Sequence, residues 1–269
     1  MELKFIYPRW GSADIPWPQF LQKVKENGYD GVEIDLPLST KKQEILAILK
    51  DFELDFVGQH WETTEVNFEK HKEQYKKHLY NLVEGKPLLI NSHTGKDFFT
   101  FEQNAELLEM AFTIEKEADI VITHETHRSR FSFAAHVCHT FLKEFSWLKL
   151  TSDLSHWCCV AETLLENQQD AVNLAIKHTH HVHARVGSSQ SAQVIDPRSD
   201  GYATELGQFK KWWKQMLSNA EQEGRDYITI TPEYGPEPYA LKHPKTEQLL
   251  ADQWGVNQFI KKKIIEGWT

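Results

Sequence analysis

The chain has 269 residues, with 30 basic and 39 acidic side chains and a net charge of −9. That length suits one domain burying its own core, and the acidic balance argues against a nucleic-acid partner, because phosphate backbones attract basic surfaces. Cys138, Cys158 and Cys159 form no disulfide framework and no apolar run is long enough to span a bilayer, so a cytoplasmic protein with free thiols and no membrane partner is expected.

From the N-terminus, short strand-like runs alternate with longer amphipathic ones. "LKFIYP" reads as a first strand, followed by a helix over 17–27 in which Phe20, Leu21 and Val24 share a face and Gly28 is the C-cap. "GVEIDL" precedes a helix over 40–51, and "DFVGQH" one over 67–84 that ends at Gly85. "PLLINSH" leads to 101–118, "DIVITHE" to 131–146 and "WLKLTSD" to 161–178. "HHVHARV" and "YITITPE" are the last strands, followed by helices over 205–223 and 245–266. Eight strand–helix pairs without a long linker predict an α/β fold, a single (β/α)8 TIM barrel over residues 1–269. The Ser- and Gly-rich piece 186–204 follows the seventh strand and is a candidate active-site loop.

In such barrels the site lies at the C-terminal strand ends, and side chains alternate in and out along each strand. In the eighth strand Ile228 and Ile230 should face the helices, leaving Thr229, Thr231 and Glu233 for the axis. The same alternation points Thr151 and Asp153 inward from the sixth strand. It does so for Thr123, Glu125 and His127 from the fifth, and for His181, His183 and Arg185 from the seventh. The fourth strand offers Asn91 and His93, the third Gly58 and His60. Burying this many ionisable groups is costly unless something pairs with them, and a divalent cation does so. Glu125, Asp153, His183 and Glu233 give three carboxylates and one imidazole, an oxygen-rich set suited to Mn²⁺, Mg²⁺ or Co²⁺ and compatible with Zn²⁺. His156, just past Asp153, is placed to lean over a substrate or a second metal. Singly, each residue has a plainer reading. Asp153 can be a helix N-cap, Glu233 a solvated loop residue, His60 and His93 core histidines, and Arg128 and Arg130 surface charges. Trp10, Trp61 and Trp157 lie near strand ends and suit either apolar walls or core packing.

The glutamate ending the fifth strand, "D-x-x-H" after the sixth, "H-x-H" on the seventh, the glutamate ending the eighth, and "NGYDGVEIDLP" together resemble the xylose isomerase-like TIM barrels. That superfamily holds sugar isomerases and epimerases, inosose and dehydroshikimate dehydratases, and endonuclease IV. The resemblance covers essentially the whole chain. It implies that Glu125, Asp153, His183 and Glu233 are metal ligands and that Glu125 and Glu233 exchange protons with substrate. It also implies that His156 contacts substrate. The endonuclease branch takes further ligands from strands three and four, where this chain has His60 and His93. Its Asp-x-His is matched by "DPR", Asp196–Arg198, where Arg198 cannot ligate.

The expected function is therefore a metal-dependent isomerase or epimerase of a small sugar or keto-sugar, acting through a metal-stabilised enediolate. Glu125 and Glu233 are its catalytic residues, and His60, His93, His127, His156 and Arg185 its substrate contacts. A dehydratase, an endonuclease IV-like phosphodiesterase and a non-catalytic metal- or ligand-binding barrel are the alternatives. Homo-oligomerisation is left open.

Overall fold

The computed structural model describes residues 1–268. Eight parallel strands close into a barrel in chain order: β1 (Glu2–Pro8), β2 (Gly31–Ile34), β3 (Asp55–His60), β4 (Ile90–Ser92), β5 (Ile122–Glu125), β6 (Leu150–Ser152), β7 (Thr179–Ala184) and β8 (Tyr227–Pro232). Closure is made by β1 on β8, where Glu2 pairs with Tyr227 and Phe5 with Ile230. Outside lie α1 (Trp17–Glu26), α2 (Lys41–Asp51), α3 (Phe68–Glu84), α4 (Phe101–Ala118), α5 (Ala135–Glu144), α6 (Leu154–Ala161), α7 (Gln169–Lys177), α8 (Ala203–Gln222) and α9 (Gln253–Trp268). This is the expected (β/α)8 TIM barrel. None of these helices is long and apolar enough to cross a membrane.

The local signals act as physical chemistry requires. Thr100 caps α4 through a capping box with Gln103, satisfying two free backbone N–H groups. Gly28, just past α1, has φ +68°, a conformation that penalises any Cβ. The helix expected over 161–178 forms only as α7, and a separate helix, α6, precedes it. α6 starts directly at Asp153, and the chain breaks where Glu162 and Leu165 take positive φ, before α7 begins. Between strands and helices a continuous core includes Phe20, Leu21, Leu79, Leu108, Trp157 and Trp212. Trp157 is fully buried and its Nε1 donates to the Ser132 carbonyl at 2.7 Å, so it is a core residue and not a site wall.

Inside the barrel, Ile6, Val57 and Leu89 form a small apolar layer. Above it the interior turns polar, with Thr123 and Thr151 hydroxyls 2.6 Å apart. A dry plug thus sits below a polar chamber that opens at the C-terminal strand ends.

Burial also sets an acid limit. On β7, burial and then the charge of Arg225 push the His180 pKa from 6.5 down to about 3. Its folded-state pKa lies below the unfolded one, so its contribution is complete above pH 6.5 and is lost as pH falls toward 3. The slope is about 1.4 kcal/mol per pH unit. Denaturant titrations between pH 7 and pH 4 should show His180→Gln losing stability less steeply than wild type, by about one proton. Identical slopes would remove His180 from the account.

Candidate active site and metal centre

Glu125 ends β5, Asp153 follows β6, His183 lies on β7 and Glu233 follows β8. The barrel brings their ligand atoms within 4.8 Å of one another, all four residues buried. The alternation read on strands four to eight is the observed one.

Beneath this group stands Glu33 on β2, which the pattern of polar residues did not single out. His183 Nε2–H donates to its Oε1 at 2.9 Å, Asn91 Nδ2 donates to the same oxygen at 2.9 Å, and Thr231 Oγ1 donates to Oε2 at 2.6 Å. Burial raises the Glu33 carboxyl, but His183 and His181 outweigh it and hold it well below the usual range. With Nε2 engaged, His183 Nδ1 faces the chamber, 2.9 Å from Glu233 Oε2 and 3.5 Å from Glu125 Oε2, without a well-formed hydrogen bond. Burial lowers this imidazole, yet Glu233, Glu33 and Glu125 raise it well above its usual range. The carboxylates therefore favour a positive charge at Nδ1, and a divalent ion answers that demand. The donor set fits the metal: three carboxylates, one imidazole with an open nitrogen, and a carboxylate behind it fixing the tautomer.

Asp153 has both roles weighed for it. Its Oδ1 accepts from Ser155 N at 3.0 Å and so caps α6, while Oδ2 accepts from Arg185 Nε at 3.0 Å. Burial raises its carboxyl to about 6, Arg185 opposing and Glu233 and Glu125 adding. Arg185 Nη2 donates to Glu233 Oε2 at 2.6 Å and Nη1 to Gln193 Oε1 at 3.0 Å, so it bridges two candidate ligands. Gln193 comes from the irregular loop expected to serve the site. It also accepts from Gly235 N, at 2.7 Å. A Cβ at Gly235 would lie 2.4 Å from the Trp10 ring and 3.2 Å from Arg185 Nη1, so glycine lets both pack there.

His93 Nε2–H donates to Glu125 Oε2 at 2.8 Å, and His127 stacks on His93 with ring centroids 4.5 Å apart. Both line a cavity of about 420 Å³ with Trp10, Trp61, Arg185 and Tyr239. His127 Nδ1–H donates to the Arg128 carbonyl at 2.5 Å, which leaves Nε2 for the cavity.

Two expected contacts are displaced. His60 does not face the axis: it bonds Ser92 and Thr63 and packs on Tyr75 and His78. A Cβ on Gly58 would meet Leu82 of α3, so on β3 the glycine and histidine face the helices, while Val57 and Gln59 face inward. His60 is a satisfied core histidine. His156 is wholly buried behind His127 and Tyr239, with Nε2 3.5 Å from Asp153 Oδ2, rather than leaning over the cavity. Burial holds its pKa well below the usual value, so it is a neutral imidazole. Arg130, which could be read as a surface charge, is buried and lines the cavity.

No protein-family model matches the chain, and no curated protein matches it in sequence. Solved structures do match in fold. A xylose isomerase-like TIM barrel protein from Mycobacterium smegmatis, in complex with magnesium, superposes with a TM-score of 0.65 at 13% identity, over 99% of this chain and 98% of that one. D-psicose 3-epimerase with D-tagatose, from Clostridium cellulolyticum, gives 0.61 at 14% identity, over 100% and 99%. A family 2 AP endonuclease from Brucella melitensis gives 0.58 at 12% identity, over 87% and 93%.

Proposed function

The fold is that of the xylose isomerase-like TIM barrels, and we propose that this chain is a divalent-metal-dependent isomerase or epimerase of a small sugar or keto-sugar. One observation carries the reading: Glu125, Asp153, His183 and Glu233 converge from four strands with the His183 Nδ1 left open toward the carboxylates. The sugar epimerase of the same fold supports it. A metal ion held by these four residues would supply Lewis acidity to adjacent carbonyl and hydroxyl oxygens of the substrate.

The chain's own residues supply the proton transfers. Burial raises the Glu125 carboxyl, but His93 and His183 outweigh it and hold it well below the usual range, which favours the ionised form that a base must start from. Asn91 and His93 both donate to its Oε2, at 2.8 Å each, which fixes the carboxylate and leaves Oε1 to take a proton. Glu233 enters from β8 on the other side, oriented by Arg185; starting protonated, it would give its own proton to the substrate while Glu125 keeps the one it took, and the reverse reaction restores both. Two carboxylates on different strands can address two faces, or two neighbouring carbons, of one sugar. Trp10 and Trp61 offer apolar walls for C–H faces. A dehydratase would share the first proton abstraction and then expel a β-hydroxyl.

A phosphodiesterase reading draws on a second group, His93, Glu125 and His127, whose ligand atoms also lie within 4.8 Å of one another. Three observations weigh against it. The Arg130 guanidinium lies 3.5 Å from His93 Nδ1, a fixed cation where a second ion would sit. His60 faces away from the chamber. Arg198 is paired with Asp196 at 2.8 Å and Asp252 at 3.3 Å.

Titration of chelator-stripped protein with Mn²⁺ should give one ion per chain. Asp153→Asn should weaken it about tenfold or more while leaving the fold intact, since asparagine caps a helix as well as aspartate. Two or three ions per chain would favour hydrolysis, and no saturable uptake would remove the metal altogether.

A further inference from the structure

The six arginines divide sharply. Arg185, Arg198 and Arg225 are each paired with a carboxylate. Among the described residues Arg9, Arg128 and Arg130 have no ion-pair partner, and all three stand at the chamber mouth, in loops that follow β1 and β5. Arg9 and Arg130 line the cavity.

Arg130 is the informative one. It is 7% exposed, yet its polar contacts are thin. Nη1 donates to the Thr63 carbonyl at 3.4 Å, Nη2 to the Trp61 carbonyl at 3.3 Å and to His93 Nδ1 at 3.5 Å, and Nε has no partner. Three long bonds to neutral acceptors do not compensate a buried charge, which ordinarily needs a counterion. A loop tether could be made by any neutral donor. Glu125 and Asp97 favour its charge from a distance, but neither is within ion-pairing reach of the guanidinium, and a cavity built for uncharged hydroxyls alone gains nothing from it.

We propose that the substrate carries an oxyanion group, a carboxylate or a phosphate, and that Arg130 is the residue that binds it. The planar guanidinium fork suits two-oxygen recognition of either group. Its place relative to the proposed chemistry is fixed by contact: Nη2 reaches His93 Nδ1, and His93 Nε2 reaches Glu125 Oε2. The charged end would therefore lie one imidazole away from the carboxylate proposed as base. That placement rests on the isomerase reading; anion binding at Arg130 does not, and it is measured separately.

Chelator-treated protein is titrated with inorganic phosphate and, separately, with acetate at constant ionic strength, following heat release and thermal shift. Wild type should bind at least one of the two saturably, and the preference tells phosphate from carboxylate. Arg130→Gln should bind about tenfold more weakly or worse, and Arg130→Lys, a point charge without the fork, at an intermediate level. A parallel Mn²⁺ titration should be unchanged in both variants. Equal anion affinity in wild type and Arg130→Gln, or no saturable response to either anion, overturns the proposal while leaving the metal reading standing. Anion binding that depends on Arg130 in a protein that takes up no Mn²⁺ would sustain it and end the metal reading instead. If the glutamine variant does not fold, the lysine variant decides, and wild-type affinity in it overturns the proposal.

Discussion

Glu233→Gln is expected to slow substrate proton exchange by about 10²–10⁴-fold at saturating Mn²⁺, the range that one positioned acid–base group contributes. The substitution keeps volume and shape. An amide oxygen can still accept from Arg185 Nη2, which now bonds Glu233 Oε2 at 2.6 Å. What is lost is a group that can take up and release a proton, together with one negative charge near the candidate ion. The second loss weakens metal binding, so the comparison needs saturating ion. The fold should survive, because Glu233 lies beyond the end of β8 and its removal thins a crowded set of carboxylates. Deuterium wash-in from heavy water with a panel of ketoses and keto-acids is the measurement. Undiminished exchange in the variant on a substrate that wild type turns over would remove Glu233 from the reaction.

The second large effect belongs to Glu33→Gln, at the floor of the cavity, behind the candidate metal ligand His183. Glu33 receives donors from His183, Asn91 and Thr231 at once. A glutamine must turn its NH₂ toward at least one of them, setting donor against donor in a buried site. Mn²⁺ affinity should fall about 10–100-fold, as when the partner behind a ligating histidine is altered. Global stability should fall by about 1–3 kcal/mol, the cost of a buried unsatisfied polar group. Calorimetric titration and denaturant unfolding separate the two effects. Wild-type affinity in this variant would show that Glu33 does not set the His183 tautomer.

The barrel was legible because parallel strands covered on both faces leave short apolar runs, and these recur with helix-length gaps. The chamber was legible on strands four to eight because polar and apolar residues there alternate cleanly, as in "YITITPE". Strand three failed for a physical reason. In "DFVGQH" one parity carries Asp55, Val57 and Gln59 and the other Phe56, Gly58 and His60, a single large apolar side chain each, so periodicity cannot choose. The deciding fact is tertiary: position 58 faces Leu82 and Pro87 closely enough that a Cβ would lie 3.2 Å from the Leu82 side chain, and His60 shares that outward face. Glu33 was available by the same alternation, between Val32 and Ile34, but nothing local marks it as more than a charged strand residue. Arg130 could not be recognised as buried from sequence, because the carbonyls that cover it come from Trp61 and Thr63, far along the chain. The break between α6 and α7 was likewise hidden, since "ETLLENQQ" carries no glycine or proline to announce it.

Asp153 both starts α6 and faces the candidate ion, and this joint duty narrows what the position can tolerate. Asparagine would satisfy the helix terminus but not the charge. Glutamate would satisfy the charge but carries its carboxylate one methylene too far to cap the turn. Serine and threonine cap well and bring no anion. In a saturation scan scored separately for folding and for turnover, most positions around the chamber should fail one screen and pass the other. Position 153 should be the one where the two lists of permitted residues overlap only at aspartate. A drift in sequence there could not trade folding for activity, because one carboxylate answers to both.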